Sequence, residues 1–257
     1  MSGQIIEMHP WLASPPGQYL LAWEQAHINA AVANIFGFHA LQLGLPELNA
    51  LAANRMPHRW LATEHLSPQS ALVTHFAALP FSANSLDMVV LPHTLELTVD
   101  PHATLREVHR VLVPEGRVVV SGFNPASLWG FRQRRGHLYQ RLGFGSLFLP
   151  QAGDFIGYLR LRDWLRLLSF EIEVAQFGCY RPALSNALLL QRFGWMDILG
   201  QRWWPILGAV YCVVAVKRVC GMTLLSPGWK SPGILANAPV SVANKAVVTH
   251  VDIQRRT

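Results

Sequence analysis

The chain has few cysteines, no long apolar run and little charge, and each shortage removes a class of protein. Among 257 residues there are three cysteines, Cys179, Cys212 and Cys220. They form neither a paired framework nor a metal-ligand spacing, so a disulfide scaffold and a cysteine metal centre are both set aside, and a reducing, cytoplasmic setting is expected. His102, His109 and His137 are scattered in the same way, and no metal is expected. The N-terminus lacks a basic segment followed by an apolar run. The longest apolar stretch, Pro205 to Val216, is too short to cross a bilayer and reads as a strand. No internal repeat is visible.

Charged residues make up only 14% of the chain, yet the formal net charge is +6. Most of it is local: from Lys217 onward six cations face Asp252 alone, leaving the rest of the chain near neutral. A nucleic-acid-binding fold would carry that excess on its body, so this class is disfavoured. The tail contains Ser226-Pro227-Gly228, Ser231-Pro232-Gly233 and Asn237-Ala238-Pro239, which are breaker signals. It is expected to be disordered from about Leu225, with solubility or weak electrostatic contact as its role.

With 51% apolar residues, 257 residues can bury one full core. The richest stretch is Ala78 to Val120. Leu86 to Leu91 has the length and β-branched content of a buried strand, and Asp100-Pro101 supplies an N-cap followed by proline in the first helical turn. Leu105, Val108 and Leu112 share one helical face. Pro114-Glu115-Gly116 is expected to end this helix, and Arg117 to Val120 resumes as a buried strand. Strand, helix and strand with this crossover imply parallel pairing and α/β architecture.

Leu79-Pro80-Phe81, Ser85 to Val90, Asp100-Pro101, Leu105-Arg106-Glu107, Arg110-Val111-Leu112 and Pro114-Glu115-Gly116, in this order and spacing, resemble the type 11 branch of class I S-adenosylmethionine-dependent methyltransferases. The resemblance implies a Rossmann-like α/β fold: a mostly parallel seven-stranded sheet with an antiparallel last strand and helices on both faces. It places strands at Phe38 to Gly44, His58 to Thr63, Leu72 to Phe76, Leu86 to Leu91, Arg117 to Ser121, Phe170 to Ala175 and Gly208 to Lys217, with a helix over Leu159 to Leu168. Residues 1–37 would form an N-terminal helical segment, 38–218 the methyltransferase-like domain and 219–257 the basic tail.

The same resemblance implies S-adenosylmethionine as cofactor, and it locates the candidate contacts at Gln42, Gly44, Glu64, His75, Phe76 and Leu91. Several depart from the family pattern. Gln42 stands where a carboxylate is usual, only Gly44 remains of a glycine-rich turn, and Pro46 and Leu48 take the places of later glycines, where proline removes a donor and leucine adds bulk. His75 replaces an aspartate that would meet the adenine amino group. Glu64, at the end of the second strand, suits an acceptor for ribose hydroxyls; a solvated glutamate at a helix start is the alternative. His93, with Glu96 beside it, lies just beyond the fourth strand and is the candidate general base, should the acceptor have to lose a proton.

Ser14-Pro15 is expected to start a helix through Tyr19, Trp23, Ile28 and Val32, with Gly37 as its C′ residue. Tyr19 or Trp23 could face a sulfonium, although core packing is favoured for both. Asn124-Pro125 follows the wrong strand to be the Asn-Pro-Pro motif of amino-methylating enzymes. Arg132, Arg134, Arg135 and Arg141 around Tyr139 read as a solvated basic loop that could bind an anion. Phe193, Trp195, Trp203 and Trp204 form an aromatic insertion that could line an apolar pocket or touch a membrane surface, with packing under a lid as the default.

The leading expectation is a methyltransferase acting on a small or apolar acceptor. The alternative is a catalytically inactive methyltransferase-like binding or regulatory protein, and a nicotinamide oxidoreductase ranks third because the loop lacks the glycines a pyrophosphate needs. The oligomeric state is left open.

Overall fold

A computed structural model describes residue 8 and residues 10–141, 148–150 and 155–219. Seven strands form one sheet in the order β3-β2-β1-β4-β5-β7-β6: β1 His39–Leu43, β2 His58–Thr63, β3 Leu72–Val73, β4 Leu86–Pro92, β5 Leu112–Phe123, β6 Phe170–Gly178 and β7 Val210–Lys217. The first five are parallel, and β7 runs antiparallel to both β5 and β6. The sheet therefore has the expected Rossmann-like order. The helices are α1 Pro15–Val32, α2 Thr94–Leu97, α3 Pro101–Val111, α4 Leu128–Arg141, α5 Tyr158–Leu167, α6 Ala187–Arg192 and α7 Trp195–Trp203, followed by a 3-10 turn, Pro205–Leu207.

Two apolar layers sandwich the sheet. On one side Leu20, Ile28 and Val32 of α1 pack on Ala40, Met88, Val90 and Val119. On the other, Leu105, Val108 and Val111 of α3 and Leu161 and Leu165 of α5 pack on Leu41, Val89, Val118 and Val213. The central strands are buried on both faces, which is why they read as continuous apolar runs rather than alternating ones.

Four boundaries differ from expectation, each for a local reason. Helix α3 starts under Asp100, whose carboxylate accepts from the Ala103 amide at 2.9 Å, but it ends at Val111. Leu112 already pairs with Leu86, and the next aligned pair is Met88 with Arg117, so Pro114-Glu115-Gly116 is looped out of a strand instead of ending a helix. Helix α1 stops at Val32, before Gly37. A Cβ on Gly37 would lie 2.5 Å from the Asp87 side chain, whose carboxylate accepts from the Phe38 and His39 amides. That glycine is needed for close approach and is not a helix cap. Lastly, β3 is only two residues long, and the arginine-rich stretch from Leu128 is helical, not a loop. The tail from residue 220 lies outside the described residues, as does the start of the N-terminal segment.

The family-like motif of α3 has a mechanical role. Glu107 accepts from the Leu79 amide at 2.8 Å, and Arg110 binds Glu107 while donating to the Phe81 carbonyl at 2.8 Å. Helix α3 thus holds the Leu-Pro-Phe turn that delivers the chain to β4, and the Arg110 guanidinium keeps the Glu107 carboxyl below its ordinary range.

Helix α1 is seated against Gly178, where a Cβ would fall 2.0 Å from the Trp23 indole. Trp23 stacks on His27 with centroids 4.0 Å apart, so the ring is held from its other side. Gly178→Ala is expected to lower stability by ~1–3 kcal/mol through overpacking, read as a lower urea midpoint with unchanged slope.

Candidate active site

The chain runs outward from β1 to β2 and β3 and then returns to β4, so the sheet has its switch point between β1 and β4, where open α/β sheets place their ligands. A cleft of ≈ 200 Å³ opens there, lined by Met8, Gly44, Leu45, Pro46, Thr63 to Pro68, Phe76, Thr94 and Leu97. Gly44 sits at φ +75°, and the space a Cβ would take lies against the Phe76 ring and the Thr94 hydroxyl. The Glu64 carboxylate is on the wall, 3.4 Å from the Phe76 amide and 3.9 Å from Nδ1 of His75.

Of the sequence-predicted contacts, Gly44, Glu64 and Phe76 therefore line one cleft. His75 stands outside it, 67% exposed, beside Glu64. Leu91 is fully buried in the core behind the cleft. Gln42 is buried as well, and its task is visible: its amide nitrogen donates to the carbonyls of Gly44, Leu45 and Leu48 at 3.1, 3.0 and 2.7 Å, while its oxygen accepts from the Ala50 amide at 3.0 Å. A carboxylate could not donate to three carbonyls, so this loop and this glutamine specify each other.

The loop consequently uses its own polar groups. The Gly44 amide goes to the Ala62 carbonyl, the Leu48 amide to Leu45, and Pro46 has no donor. Leu48 is buried in the α1-side core and leaves the cleft open. Between β1 and β2 no helix is formed; residues 44–57 are turns and irregular chain. The helix N-terminus that commonly receives an anion after β1 is therefore missing from this site.

His93 ends β4 in the left-handed region, at φ 52°. It is sealed: its Nδ1 lies 2.7 Å from Glu96 and its Nε2 3.0 Å from Glu24 of α1, with all three side chains buried. The Glu96 contact is a directed hydrogen bond. The Glu24 contact is a short ion pair without hydrogen-bond alignment, and both Glu24 oxygens lack a hydrogen-bond partner. The other Glu96 oxygen accepts from the Phe123 amide at 2.6 Å. Burial alone would lower the His93 pKa, but the two carboxylates outweigh it and raise it to about 10. Burial pushes Glu96 up, against the pull of His93 and the Phe123 amide. His93 is thus an imidazolium tied to α1, β4 and β5, and it does not line the cleft, whereas its neighbour Thr94 does.

Glu24 is the member that sequence reading missed. The signal was present: Leu20, Glu24, Ile28 and Val32 recur at every fourth position, so the acid lies within the buried stripe of α1. Tyr19 and Trp23 are also away from the cleft. The Tyr19 hydroxyl donates to Asp197, and its ring lies under the Arg181 guanidinium at 4.3 Å.

The buried cluster makes stability depend on pH. Because the folded His93 holds its proton more tightly than the unfolded one, its contribution is complete below about 6.5 and is lost as pH rises toward about 10. Urea titrations between pH 7 and 10 should show that loss in the wild type. His93→Leu should lack it and should cost ~3–5 kcal/mol at pH 7, because two carboxylates are left buried without their cation.

Comparison with known proteins agrees with this architecture. Residues 45–120 match the family model described as a methyltransferase domain, of type 11. The chain is 29% identical over 222 residues to uncharacterized protein YafS of Escherichia coli K12, an alignment covering 83% of this chain and 82% of that one. Its fold is similar to a chain of the complex between the Haloferax volcanii Trm112 methyltransferase activator and a methyltransferase, with TM-score 0.54, 17% identity and coverage of 85% and 99%. It is similar too to an S-adenosylmethionine-dependent methyltransferase from Thermotoga maritima, with TM-score 0.54, 16% identity and coverage of 78% and 92%. Residues 45–120 thus match the type 11 methyltransferase domain, on a sheet similar to the class I methyltransferase fold, with a first loop that carries Pro46 and Leu48 after Gly44.

Proposed function

We propose that the cleft receives S-adenosylmethionine and that the chain transfers its methyl group to a small or apolar acceptor. One observation carries the reading: at the switch point of the sheet, a carboxylate at the end of β2, a glycine at positive φ after β1 and an aromatic ring line the same cleft. These are the groups a ribose, a closely approaching ligand backbone and a purine face require. The cofactor, when bound, supplies an electrophilic methyl on a sulfonium.

The chain's own residues do the rest by position. Glu64 accepts hydrogen bonds from ribose hydroxyls, and His75 at its back orients the carboxylate. Gly44 leaves room for close approach, Phe76 gives the base an apolar face, and Gln42 fixes the loop they share. Leu91 backs the wall from the core. His93 acts as a positioning residue: its ion pairs set the turn that presents Thr94 to the cleft. Orientation of this kind can supply a large part of a displacement barrier. Lacking a transmembrane-length apolar helix among the described residues, the chain fits a cytoplasmic setting.

A specific observation supports the second reading, a methyltransferase-like protein that binds without transferring. Among the described residues no lysine or arginine lines the cleft, and the Gly44 and Leu48 amides are taken by the Ala62 and Leu45 carbonyls. The nucleoside end of a ligand therefore has partners that its amino-acid end lacks.

Titration calorimetry separates these readings. S-adenosylmethionine and S-adenosylhomocysteine are expected to bind, and Glu64→Ala should weaken both tenfold or more, as loss of a charged hydrogen bond of ~1.5–3 kcal/mol requires. Absence of heat and of thermal shift at millimolar ligand would end the cofactor reading. Adenosine is expected to bind within about tenfold of S-adenosylhomocysteine, because no lysine or arginine lines the cleft and no helix starts directly after β1. Turnover of any apolar acceptor decides for the enzyme over the binding protein.

A further inference from the structure

The segment between β6 and β7 ends up on the same side of the sheet as the cleft. Strand β7 runs antiparallel to β5 and β6 antiparallel to β7, so β6 points the same way as β1, β4 and β5. Its last residue, Gly178, lies on the sheet edge that carries Gly44, His93 and Asn124. Asn124 then fastens the segment to the end of β5, its amide donating to the carbonyls of Ile206 and Gly208 at 2.7 and 2.9 Å.

This segment is apolar where it should be polar. Leu188, Ile198 and Trp203 are 77%, 74% and 68% exposed, and Trp195, Trp204 and Ile206 are more than half exposed. The aromatic insertion is therefore not packed under a lid, as its sequence suggests. Isolated exposed apolar residues are ordinary, but a contiguous set rich in tryptophan marks a surface that is covered when the protein works.

Charge indicates what covers it. Residues 128–136 and 179–207 hold six arginines and one acidic residue, Asp197. That carboxylate is already taken: it accepts from Tyr19 and the Tyr180 amide, and Arg181 binds it at 2.9 Å. Trp129 and Arg132 of α4 donate to the Arg181 and Ala183 carbonyls, which joins the basic helix to the apolar segment. Arg192 ends α6 and Arg202 lies in the last turn of α7. Exposed tryptophan and leucine bordered by arginine, with no available carboxylate, is the composition of an element lying in the interface of an anionic bilayer, where indole rings sit at headgroup depth.

We infer that α6, α7 and the following 3-10 turn dock this chain on an anionic membrane surface, with the cofactor edge of the sheet toward the lipid. Docking would bring the cleft to acceptors dissolved in the bilayer, but the surface itself does not depend on methyl transfer.

The test is co-sedimentation of the full chain with vesicles of phosphatidylcholine alone and of phosphatidylcholine with phosphatidylglycerol. Binding is expected with the anionic vesicles, with a blue shift of tryptophan fluorescence and a loss at high salt. The double variant Ile198→Ser with Trp203→Ser, both side chains largely exposed, should keep the wild-type melting temperature and bind at least tenfold more weakly. If the wild type stays in the supernatant, or the variant binds as well as the wild type, the inference is overturned; the latter result would assign binding to the basic tail. A concentration-dependent dimer that the double variant abolishes would overturn it in favour of a second copy as the occupant. Nucleoside binding by calorimetry is read separately, so failure of docking and failure of the cofactor reading remain distinguishable.

Discussion

A histidinium held between two buried carboxylates is the interaction on which the cleft side of this molecule depends. Glu24 comes from α1, His93 from the end of β4, and Glu96 reaches the amide of Phe123 at the end of β5. Three elements far apart in the chain are joined at the edge of the sheet that carries the cleft. Such a cluster is a weak contributor to net stability, because desolvating the charges costs nearly what their attraction returns. It is a strong contributor to position, because each partial arrangement leaves a charge buried without compensation. The left-handed backbone at His93 belongs to this account, since a non-glycine residue holds positive φ only where its surroundings over-determine it.

The first loop follows a comparable logic with neutral groups. A loop of several glycines is open and presents its amides outward. Here Gln42 turns the loop carbonyls inward, Leu48 anchors it in the core, and the chain reaches β2 without a helix. The scarcity of glycine, the amide of Gln42 and the helix-free path to β2 are thus one arrangement seen three ways. The cleft is left with its shape and one carboxylate, Glu64.

Legibility in the sequence tracked burial on two faces. Strands β4, β5 and β7 are flanked by apolar layers on both sides, and their apolar, largely β-branched runs could be read with errors of a few residues. Pro114-Glu115-Gly116 misled because proline and glycine mark a break without saying of what; here they break a strand's register. The cleft was legible at Gly44, Glu64 and Phe76 because strand ends in a parallel sheet are fixed by the strands. Glu24 was hidden because an acid in an apolar stripe has meaning only once its partner is known, and that partner is 69 residues away in the chain. Composition also could not separate a packed aromatic insertion from an exposed one, since both call for tryptophan and leucine.

The exposed insertion and the cleft are consequences of the same strand inversion. Had β7 been parallel, the chain would have needed a crossover, and the segment after β6 would have been drawn over a face of the sheet as a covering helix. Because β7 is antiparallel, the segment after β6 stays at the carboxyl edge and can remain apolar without being buried. Asp197 shows how this is stabilised: its carboxylate binds Tyr19 and Arg181, so the acid of α7 anchors the helix while the exposed positions of α7 carry no acid. The exposed segment and the cleft thus open on one edge of the sheet, each held there by the direction of its strands.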